Sequence, residues 1–371
     1  MTHRAPYRAD VVGSLLRPST VKKARLDYAA GTISATGLRQ AEDEAIGPVV
    51  QRQAEAGFKV ATDGELRRAW WHLDFWESLE GLDVVDAESG IAFQGVSTRP
   101  KTMRLTGPIA FPSDHPFLAD FAALKDDAIA VGLEPKITIP SPTVLDFRLD
   151  NERIDHDAYA DRDAMIDDLV QAYRDALASL YASGARYIQL DDTAWGYLCS
   201  DVELEKARAR GIITDGIAER YAILINRVLE GRPSDLTVTT HVCRGNFRST
   251  WISSGGYEPV AEQLLGGTDY DGYFLEYDSD RAGGFEPLRF LPQGDKRVVL
   301  GLITSKSGEL EPREAVIARI DEAARYAPLD QLALSSQCGF ASTEEGNLLT
   351  EDEQWRKLES VVSIADEVWP D

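Results

Sequence analysis

Eight short apolar runs, each rich in β-branched residues, recur along this sequence with longer segments between them. Runs of this length and composition are typical of buried β-strands. Strands that are apolar almost throughout, rather than alternating, are typical of a parallel sheet covered by helices. The eight runs are residues 9–16, 58–66, 135–141, 185–192, 236–243, 271–278, 296–304 and 331–339.

Segments with helical periodicity lie between the runs. Residues 163–183 space their apolar side chains three and four positions apart and stop before Gly184, which predicts an amphipathic helix ended by glycine. Residues 313–326 follow a proline suited to a first helical turn, and residues 351–368 repeat the periodic pattern. Eight strand–helix units in 371 residues predict an α/β fold, a single (β/α)8 TIM barrel.

The segment between the second and third runs is longer than one connecting helix requires. It contains the stretch IAFQGVSTRPKTMRLTGPIAF, which predicts a β-hairpin. No Ser/Gly-rich linker divides the chain elsewhere. We therefore expect one catalytic domain over residues 1–371, with an insertion at roughly residues 78–132 after the second strand–helix unit.

Charge and composition argue against two classes of partner. Asp and Glu number 62 against 39 Lys and Arg, a formal net charge of -23 that would repel a phosphate backbone or an anionic membrane. No stretch reaches the roughly 18 uninterrupted apolar residues of a membrane span, and the first ten residues contain no signal-peptide core. We expect a soluble, cytoplasmic protein that binds neither nucleic acid nor membrane, and a homo-oligomer is compatible with the sequence.

Potential metal ligands collect at the ends of the later runs, where TIM barrels carry their chemistry. His241 and Cys243 are two positions apart on one predicted strand, so their side chains project from the same face. Taken alone, this pair is more often a buried histidine beside a buried cysteine. Glu276 and Cys338 occupy equivalent positions on the sixth and eighth runs, and one histidine, two cysteines and one glutamate form a zinc ligand set.

Ligands from three separate strand ends favour an open, reactive zinc site over a closed structural one. Two thiolates and a carboxylate leave Zn²⁺ electron-rich, so the metal suits a substrate thiol held as thiolate. We therefore predict a zinc cofactor and a small-molecule thiol acceptor. The third cysteine, Cys199, is predicted to be a packed thiol, and Arg67 and Arg68 are predicted to lie at the surface or against the insertion.

Carboxylates and a glycine turn at the other strand ends predict an amino acid substrate. Glu65, Asp191 and Asp192 would face the barrel mouth, where carboxylates can bind a substrate ammonium group. Backbone amides around Gly13 and Ser14 can bind the substrate's carboxylate. For any one of these acidic residues alone, a solvated or salt-bridged side chain is the ordinary alternative.

The segments DVVGSLLRP, VATDGELRR, KITIPSPTVL, YIQLDDTAW, THVCRGN, YFLEYD and LSSQCGFAS resemble the cobalamin-independent methionine synthase family. The resemblance covers nearly the whole chain and is to the C-terminal catalytic barrel, in the short single-barrel branch. It implies that zinc is held by the four ligands proposed above. It also implies that homocysteine is bound through the backbone of Val12, Gly13 and Ser14, and through Glu65 and Asp191, the expected catalytic carboxylates.

Two positions depart from the family's pattern and leave the methyl donor open. Thr304 stands in place of a histidine expected to help protonate the departing folate, and a folate-contacting glutamate falls near Tyr197. A methylated amine is a poor leaving group without proton delivery, which threonine cannot supply. We therefore expect a methylcorrinoid or an epoxide to react faster than methylfolate.

The leading hypothesis is a zinc-dependent methyltransferase that forms methionine from homocysteine. An alternative with similar chemistry is an epoxyalkane:coenzyme M transferase, in which a zinc thiolate opens an epoxide and Arg67 or Arg244 binds the sulfonate. Glu65 and Asp191 favour a thiol that carries an ammonium group instead. A zinc hydrolase would normally have a histidine pair at the end of the first strand, which residues 12–14 lack. A metal-binding protein without enzymatic activity is the remaining alternative.

Overall fold

A computed structural model describes residues 5–154, 157–159 and 161–370 of the chain. Within these ranges seven strands pair in parallel as one curled sheet, and two further strands form an antiparallel pair. The strands are β1 (Val60–Ala61), β2 (Glu80–Asp86), β3 (Lys101–Ala110), β4 (Glu134–Pro140), β5 (Tyr187–Asp192), β6 (Thr237–Val242), β7 (Gly272–Glu276), β8 (Arg297–Ile303) and β9 (Leu332–Ser336).

Helices alternate with the strands and pack against the sheet or against one another. The α-helices are α1 (Ser19–Ala29), α2 (Ala35–Glu55), α3 (Leu73–Trp76), α4 (Pro116–Ala130), α5 (Pro142–Arg148), α6 (Arg162–Ala182), α7 (Ala194–Leu198), α8 (Asp201–Ala209), α9 (Ile217–Leu229), α10 (Arg313–Ala323) and α11 (Glu351–Val368). Shorter helical turns occur at Asn151–Arg153, Glu262–Gly266, Asp280–Ala282, Glu286–Phe290 and Leu329–Gln331.

The first apolar run lies between the two edges of the seven-stranded sheet. Ala9 makes a parallel bridge with Leu334 of β9, and the N–H of Asp10 donates to the carbonyl of Leu334 at 3.1 Å. At the other edge, the N–H of Leu15 donates to the carbonyl of Gly64 at 2.9 Å, just after β1. The seven parallel strands and this segment form a TIM barrel, so the predicted fold class is confirmed.

Two of the predicted strands are shorter or less regular than expected. In residues 9–16, side chains take backbone hydrogen bonds that a strand ladder would otherwise make: the N–H of Val11 donates to the Asp10 carboxylate at 2.8 Å, and the N–H of Leu16 to Oε1 of Gln354 at 2.7 Å. The run predicted over residues 58–66 is reduced to the two residues of β1. The chain then turns, because Gly64 has a φ of 65°.

The segment of residues 78–132 contains both a hairpin and a barrel helix. β2 and β3 pair from Leu82 with Leu105 to Asp86 with Lys101. The predicted hairpin sequence begins at residue 91, whereas the first strand of the pair begins at residue 80. The helix α4 packs on α2 and β4, as a barrel helix does. We propose that the chain is a single domain, because one hydrophobic cluster contains residues of both the hairpin and the barrel.

Strand register aligns the functional ends of the barrel. Asp191 of β5 is the register partner of His241 of β6, and Glu276 of β7 is the partner of Gly301 of β8. Because the strands are parallel, their carboxyl ends meet at one mouth, where TIM barrels place their active sites. No helix in the described ranges combines the length and the apolar composition needed to span a bilayer.

Candidate active site

Four side chains with metal-binding atoms converge at the mouth of the barrel. His241 lies on β6, and Cys243 is the first residue after that strand. Glu276 is the last residue of β7, and Cys338 lies two positions after β9. All four are buried, and their ligand atoms lie within 4.8 Å of one another. The structure therefore brings together the four residues that the sequence predicted as zinc ligands.

Several polar atoms of this cluster have no hydrogen-bond partner among the described residues. They are both ring nitrogens of His241 and Oε2 of Glu276, and buried polar groups without hydrogen bonds are costly. Oε2 of Glu276 lies 3.6 Å from Nη2 of Arg281, an ion pair without a hydrogen bond. The other oxygen, Oε1 of Glu276, accepts from the N–H of Arg244 at 2.8 Å, and Sγ of Cys243 accepts from the N–H of Gly245 at 3.3 Å. One nitrogen, two sulfurs and one oxygen fit the coordination preference of zinc.

The charges of the cluster are interdependent. Burial opposes the charged form of His241, but the Cys338 thiolate, with the Asp191 and Glu276 carboxylates, outweighs burial and raises the pKa of His241 to about 9. A hydrogen bond from Cys243, aided by the charge of His241, holds the pKa of Cys338 well below its usual range against the effect of burial. Burial raises the pKa of Glu276. Metal binding at these groups would release protons, because ligands bind in their deprotonated forms.

A buried ammonium group beside the cluster was missed by the sequence analysis. Nζ of Lys306 has no hydrogen-bond partner in the described part of the chain. Its charge favours the ionised forms of Glu276 and Cys338. Thr304 lies two positions before Lys306, and its hydroxyl donates to Oδ2 of Asp278 at 2.9 Å. Thr304 does not line the pocket beside the cluster. The sequence signal that could have identified Lys306 is its position just after the end of a strand.

A pocket opens beside the metal-ligand cluster. It is lined by His241, Cys243 and Cys338, and also by the predicted carboxylates Glu65 and Asp191. Val12 and Ser14 line it as well. Part of its remaining wall is aromatic, formed by Trp70, Trp71, His72, Phe93, Tyr197 and Phe247.

Glu65 is held at the pocket by a left-handed turn after β1. Its φ is 57°, an unfavourable value for a residue with a side chain. Its N–H donates to Oδ1 of Asp63 at 2.8 Å, and its Oε1 accepts from the hydroxyl of Thr138 at 2.8 Å. Oε2 has no hydrogen-bond partner among the described residues, and burial raises the pKa of this carboxyl. Glu65 therefore has an oxygen available for a substrate.

Asp191 is positioned by a residue that the sequence analysis did not single out. The side-chain amide of Gln189 donates to Oδ1 of Asp191 at 2.6 Å and to the carbonyl of Val12 at 2.7 Å. Burial raises the pKa of Asp191 to about 7, against the charge of His241. The signal for Gln189 was its position two residues before Asp191 on one strand, which places both on the same face.

Asp192 does not reach the pocket, contrary to the prediction that it binds substrate. Adjacent side chains on a strand point to opposite faces, so Asp192 points away from the face that carries Asp191. Its Oδ1 accepts from the N–H of Ala194 at 2.7 Å, and its Oδ2 accepts from the hydroxyl of Thr143. Its carboxylate therefore holds the start of α7 in place.

Gly13 contributes by being small rather than by lining the pocket. A Cβ atom at this position would lie 2.9 Å from Oε1 of Glu65 and 2.9 Å from Cγ2 of Thr138. Gly339 is equally constrained, since a Cβ there would lie 2.0 Å from Oγ of Ser14. These glycines let the first run and the loop after β9 approach the site closely.

Arg67 and Arg68 were predicted to lie at the surface or against the insertion. Both side chains are internal, so a surface position was wrong, and both contact α4 of the 78–132 segment. Arg68 donates to the carbonyl of Thr138 at 2.7 Å and lies 3.6 Å from Oε1 of Glu65, and its guanidinium lies 4.4 Å from the ring centroid of Phe117. Three carboxylates, of which Asp43 is exposed, compensate the charge of Arg67. Arg67 pairs with Asp43, Asp63 and Asp120 at 2.6, 3.5 and 3.5 Å.

Two further residues considered in the sequence analysis lie outside the pocket lining. Cys199 is buried, and its thiol donates to the carbonyl of Trp195 at 3.3 Å, as expected of a packed thiol. Arg244 is fully buried, with its guanidinium carbon 4.2 Å from the centroid of the Tyr257 ring.

Comparison with known proteins identifies the family. The family model of the cobalamin-independent synthase catalytic domain matches residues 8–366. The chain belongs to this family. The resemblance drawn from the sequence motifs is thereby confirmed.

Relatives extend over the full length of the chain. The uncharacterized protein YxjH of Bacillus subtilis is 50% identical over 366 residues, which is 99% of this chain and 96% of YxjH. A crystal structure of the putative vitamin-B12 independent methionine synthase from Listeria monocytogenes is 40% identical, with a TM-score of 0.80 and 99% of both chains covered. The methionine synthase of Saccharolobus solfataricus is 24% identical over 361 residues, 95% of this chain and 92% of that protein. Family membership supports a methyltransferase that acts on small molecules.

Proposed function

We propose that this protein is a zinc-dependent methyltransferase that transfers a methyl group to the thiol of homocysteine and so forms methionine. The observation that carries the proposal is the convergence of His241, Cys243, Glu276 and Cys338 within 4.8 Å, beside a pocket that also contains Glu65 and Asp191. We propose that the first four residues hold zinc and that the two carboxylates bind the acceptor.

The four proposed metal ligands and the two carboxylates of the pocket suit the proposed methyl transfer. Bound zinc would supply activation of the acceptor thiol as a thiolate near neutral pH. Oε2 of Glu65 and the carboxylate of Asp191 would accept hydrogen bonds from the ammonium group of homocysteine. The backbone at Val12 and Ser14 lies in the same pocket and would orient the carboxylate end. The acceptor sulfur would then face the donor's methyl carbon in a fixed orientation, which is a major source of rate acceleration.

The aromatic residues of the pocket lining would exclude bulk water from the site. Phe93 belongs to the connection between β2 and β3, and Phe247 belongs to the loop after β6. Their ring centroids lie 5.3 Å apart, so the two loops meet beside the pocket. A dry pocket strengthens the electrostatic interactions within it.

The epoxyalkane:coenzyme M alternative lacks the cations that were assigned to it. Arg67 is engaged by three carboxylates, and Arg244 does not line the pocket. Arg148 does line the pocket, but Glu65 and Asp191 would repel a sulfonate and attract an ammonium group. We therefore favour homocysteine as the acceptor.

The direct test uses zinc-loaded protein with homocysteine or coenzyme M as acceptor, and methylfolate, a methylcorrinoid or an epoxide as donor. Mass spectrometry identifies the thioether product. We expect methionine from homocysteine, and loss of the activity when zinc is removed and its return when zinc is restored. Absence of product with every thiol, or faster alkylation of coenzyme M by the epoxide, would reject the proposal.

A further inference from the structure

A buried histidine in the pocket takes no part in the metal-ligand cluster. His72, the residue before α3, lines the same pocket as Cys243 and Cys338 and is 1% exposed. Its Nε2 lies 2.8 Å from Nη1 of Arg148, the last residue of α5, which also lines the pocket. Two residues from different segments of the chain therefore form a polar pair at the pocket.

The arginine determines which nitrogen of the histidine carries the proton. A guanidinium group has donors and no acceptor, so Nε2 of His72 accepts from Arg148. The proton of the neutral ring is then on Nδ1. Nδ1 is buried and has no hydrogen-bond partner among the described residues. Burial and the charge of Arg148 lower the pKa of His72 well below its ordinary value, so the ring is neutral near pH 7.

Three tryptophan rings hold this imidazole in place. The centroid of the Trp71 ring lies 4.5 Å away, that of Trp76 5.2 Å away in an edge-on arrangement, and that of Trp70 5.9 Å away. The Trp76 indole N–H donates to the hydroxyl of Tyr173 at 3.0 Å, which anchors one wall. His72 is thus a preorganised neutral donor, the kind of group that stabilises charge as it develops in a transition state.

We propose that Nδ1–H of His72 donates a hydrogen bond to the leaving atom of the methyl donor, and that this atom is nitrogen or oxygen. This inference rests on the proposed methyltransferase function. The acceptor sulfur forms a bond to the methyl carbon, and the electron pair of the broken bond stays on the leaving atom. A water molecule delivers to that atom, as the bond breaks, a proton equivalent to the one that the acceptor thiol released, so a nitrogen does not leave as an anion, and R–SH and CH₃–X give R–S–CH₃ and H–X. His72 keeps its own proton and stabilises the leaving atom while the bond breaks.

This role selects between donor classes. A nitrogen or oxygen leaving atom has a lone pair that can accept from His72, whereas the cobalt of a methylcorrinoid offers no comparable acceptor. Thr304, from which the sequence analysis inferred slow folate transfer, does not line the pocket. The expected order of donors is therefore reversed, with a methylated nitrogen donor reacting faster than a methylcorrinoid.

The test compares wild-type protein with His72→Phe and His72→Asn, all loaded with zinc. Single-turnover transfer to homocysteine is measured from 5-methyltetrahydrofolate and from methylcobalamin, and the affinity for tetrahydrofolate is measured by calorimetry. In His72→Phe we expect the folate rate to fall about 100-fold and the tetrahydrofolate affinity to fall about tenfold. The asparagine variant should recover part of both. Zinc content, homocysteine affinity and any methylcobalamin rate should be unchanged.

A matched control is His115→Asn, because His115 is a second buried histidine in a neighbouring aromatic group that does not line the pocket. It should transfer methyl groups at the wild-type rate. Unchanged folate transfer in both His72 variants, or equal loss with every donor, would overturn the role of His72. Wild-type protein that transfers methyl groups from no donor would instead reject the proposed function, and the inference with it.

Discussion

The Sγ atoms of Cys243 and Cys338 lie 3.7 Å apart, although 95 positions separate the two residues in the sequence. They meet because β6 and β9 are parallel strands of one closed barrel and both end at its mouth. Both cysteines are free and buried. This geometry, with a histidine and a glutamate beside the two thiols, is the main support for the proposed metal site.

Replacing either of these cysteines should remove the metal. We expect the wild type to bind one zinc ion per chain, and Cys243→Ser and Cys338→Ser to lose most of it, because serine does not supply a thiolate. Cys199→Ser is the matched control and should retain zinc, since Cys199 lies outside the cluster. Elemental analysis of the purified proteins measures this. Full zinc content in both ligand variants would contradict the assignment.

The carboxylates of Glu65 and Asp191 should recognise the amine of the acceptor thiol. Glu65→Gln and Asp191→Asn are each expected to weaken homocysteine binding by about tenfold or more, because hydrogen bonds to charged groups contribute about 1.5–3 kcal/mol. Binding of 4-mercaptobutanoate, which lacks the amine, should change little. Calorimetry with both thiols makes the comparison, with zinc content as the control. Equal effects on the two thiols would remove the proposed ammonium contact.

Gly13 should tolerate no side chain. A Cβ would lie 2.9 Å from Oε1 of Glu65, and overpacking of this kind costs about 1–3 kcal/mol. We expect Gly13→Ala to lower both the free energy of unfolding and the affinity for homocysteine. Gly37→Ala in α2 is the control, since its nearest contact is 3.4 Å and alanine favours a helix. Urea unfolding and calorimetry test both variants; an unaffected Gly13→Ala would show that the turn has room.

His115 should make stability depend on pH in the acidic range. Its Nδ1 accepts from the N–H of Phe117 at 3.2 Å, and its Nε2 donates to the carbonyl of Phe75 at 3.0 Å, so the folded state needs the neutral ring. Burial lowers the pKa of His115 from 6.5 to about 4. As the pH falls below 6.5, His115 takes up a proton in the unfolded chain before it does so in the folded protein. The free energy of unfolding that the neutral ring contributes above pH 6.5 is therefore lost progressively between pH 6.5 and pH 4.

This loss corresponds to at most about 3 kcal/mol. Between pH 7 and pH 4.5, His115→Asn should therefore lose less stability than the wild type, and asparagine can still accept the N–H of Phe117 at the start of α4. Urea unfolding of both proteins at each pH provides the comparison. Identical losses would show that His115 does not control this dependence.

The candidate metal ligands were predictable because the rule that places them is local. Residues two positions apart on a strand lie on the same face, and the carboxyl ends of parallel strands lie at the same edge of the sheet. The boundaries of the apolar runs were therefore enough to group His241, Cys243, Glu276 and Cys338. The same rule, applied strictly, would have found Gln189 and excluded Asp192. Those two errors came from treating adjacent acidic residues as equivalent.

Other features depend on partners that are distant in sequence. Arg68 is internal because Thr138, 70 positions away, accepts its hydrogen bonds. The pKa of His72 is lowered by burial and by the charge of Arg148, which lies 76 positions away. No periodicity in the chain indicates such pairs.

The sequence by itself determined the alternation of strands and helices, the family and the set of strand-end residues, because these follow from apolar periodicity and short motifs. Only the tertiary structure decided that the first run closes the barrel without forming a regular strand, that Asp192 supports α7, and that His72 lines the pocket beside Arg148. Each of these depends on which groups satisfy buried hydrogen bonds across the fold, and that becomes defined only when the barrel closes.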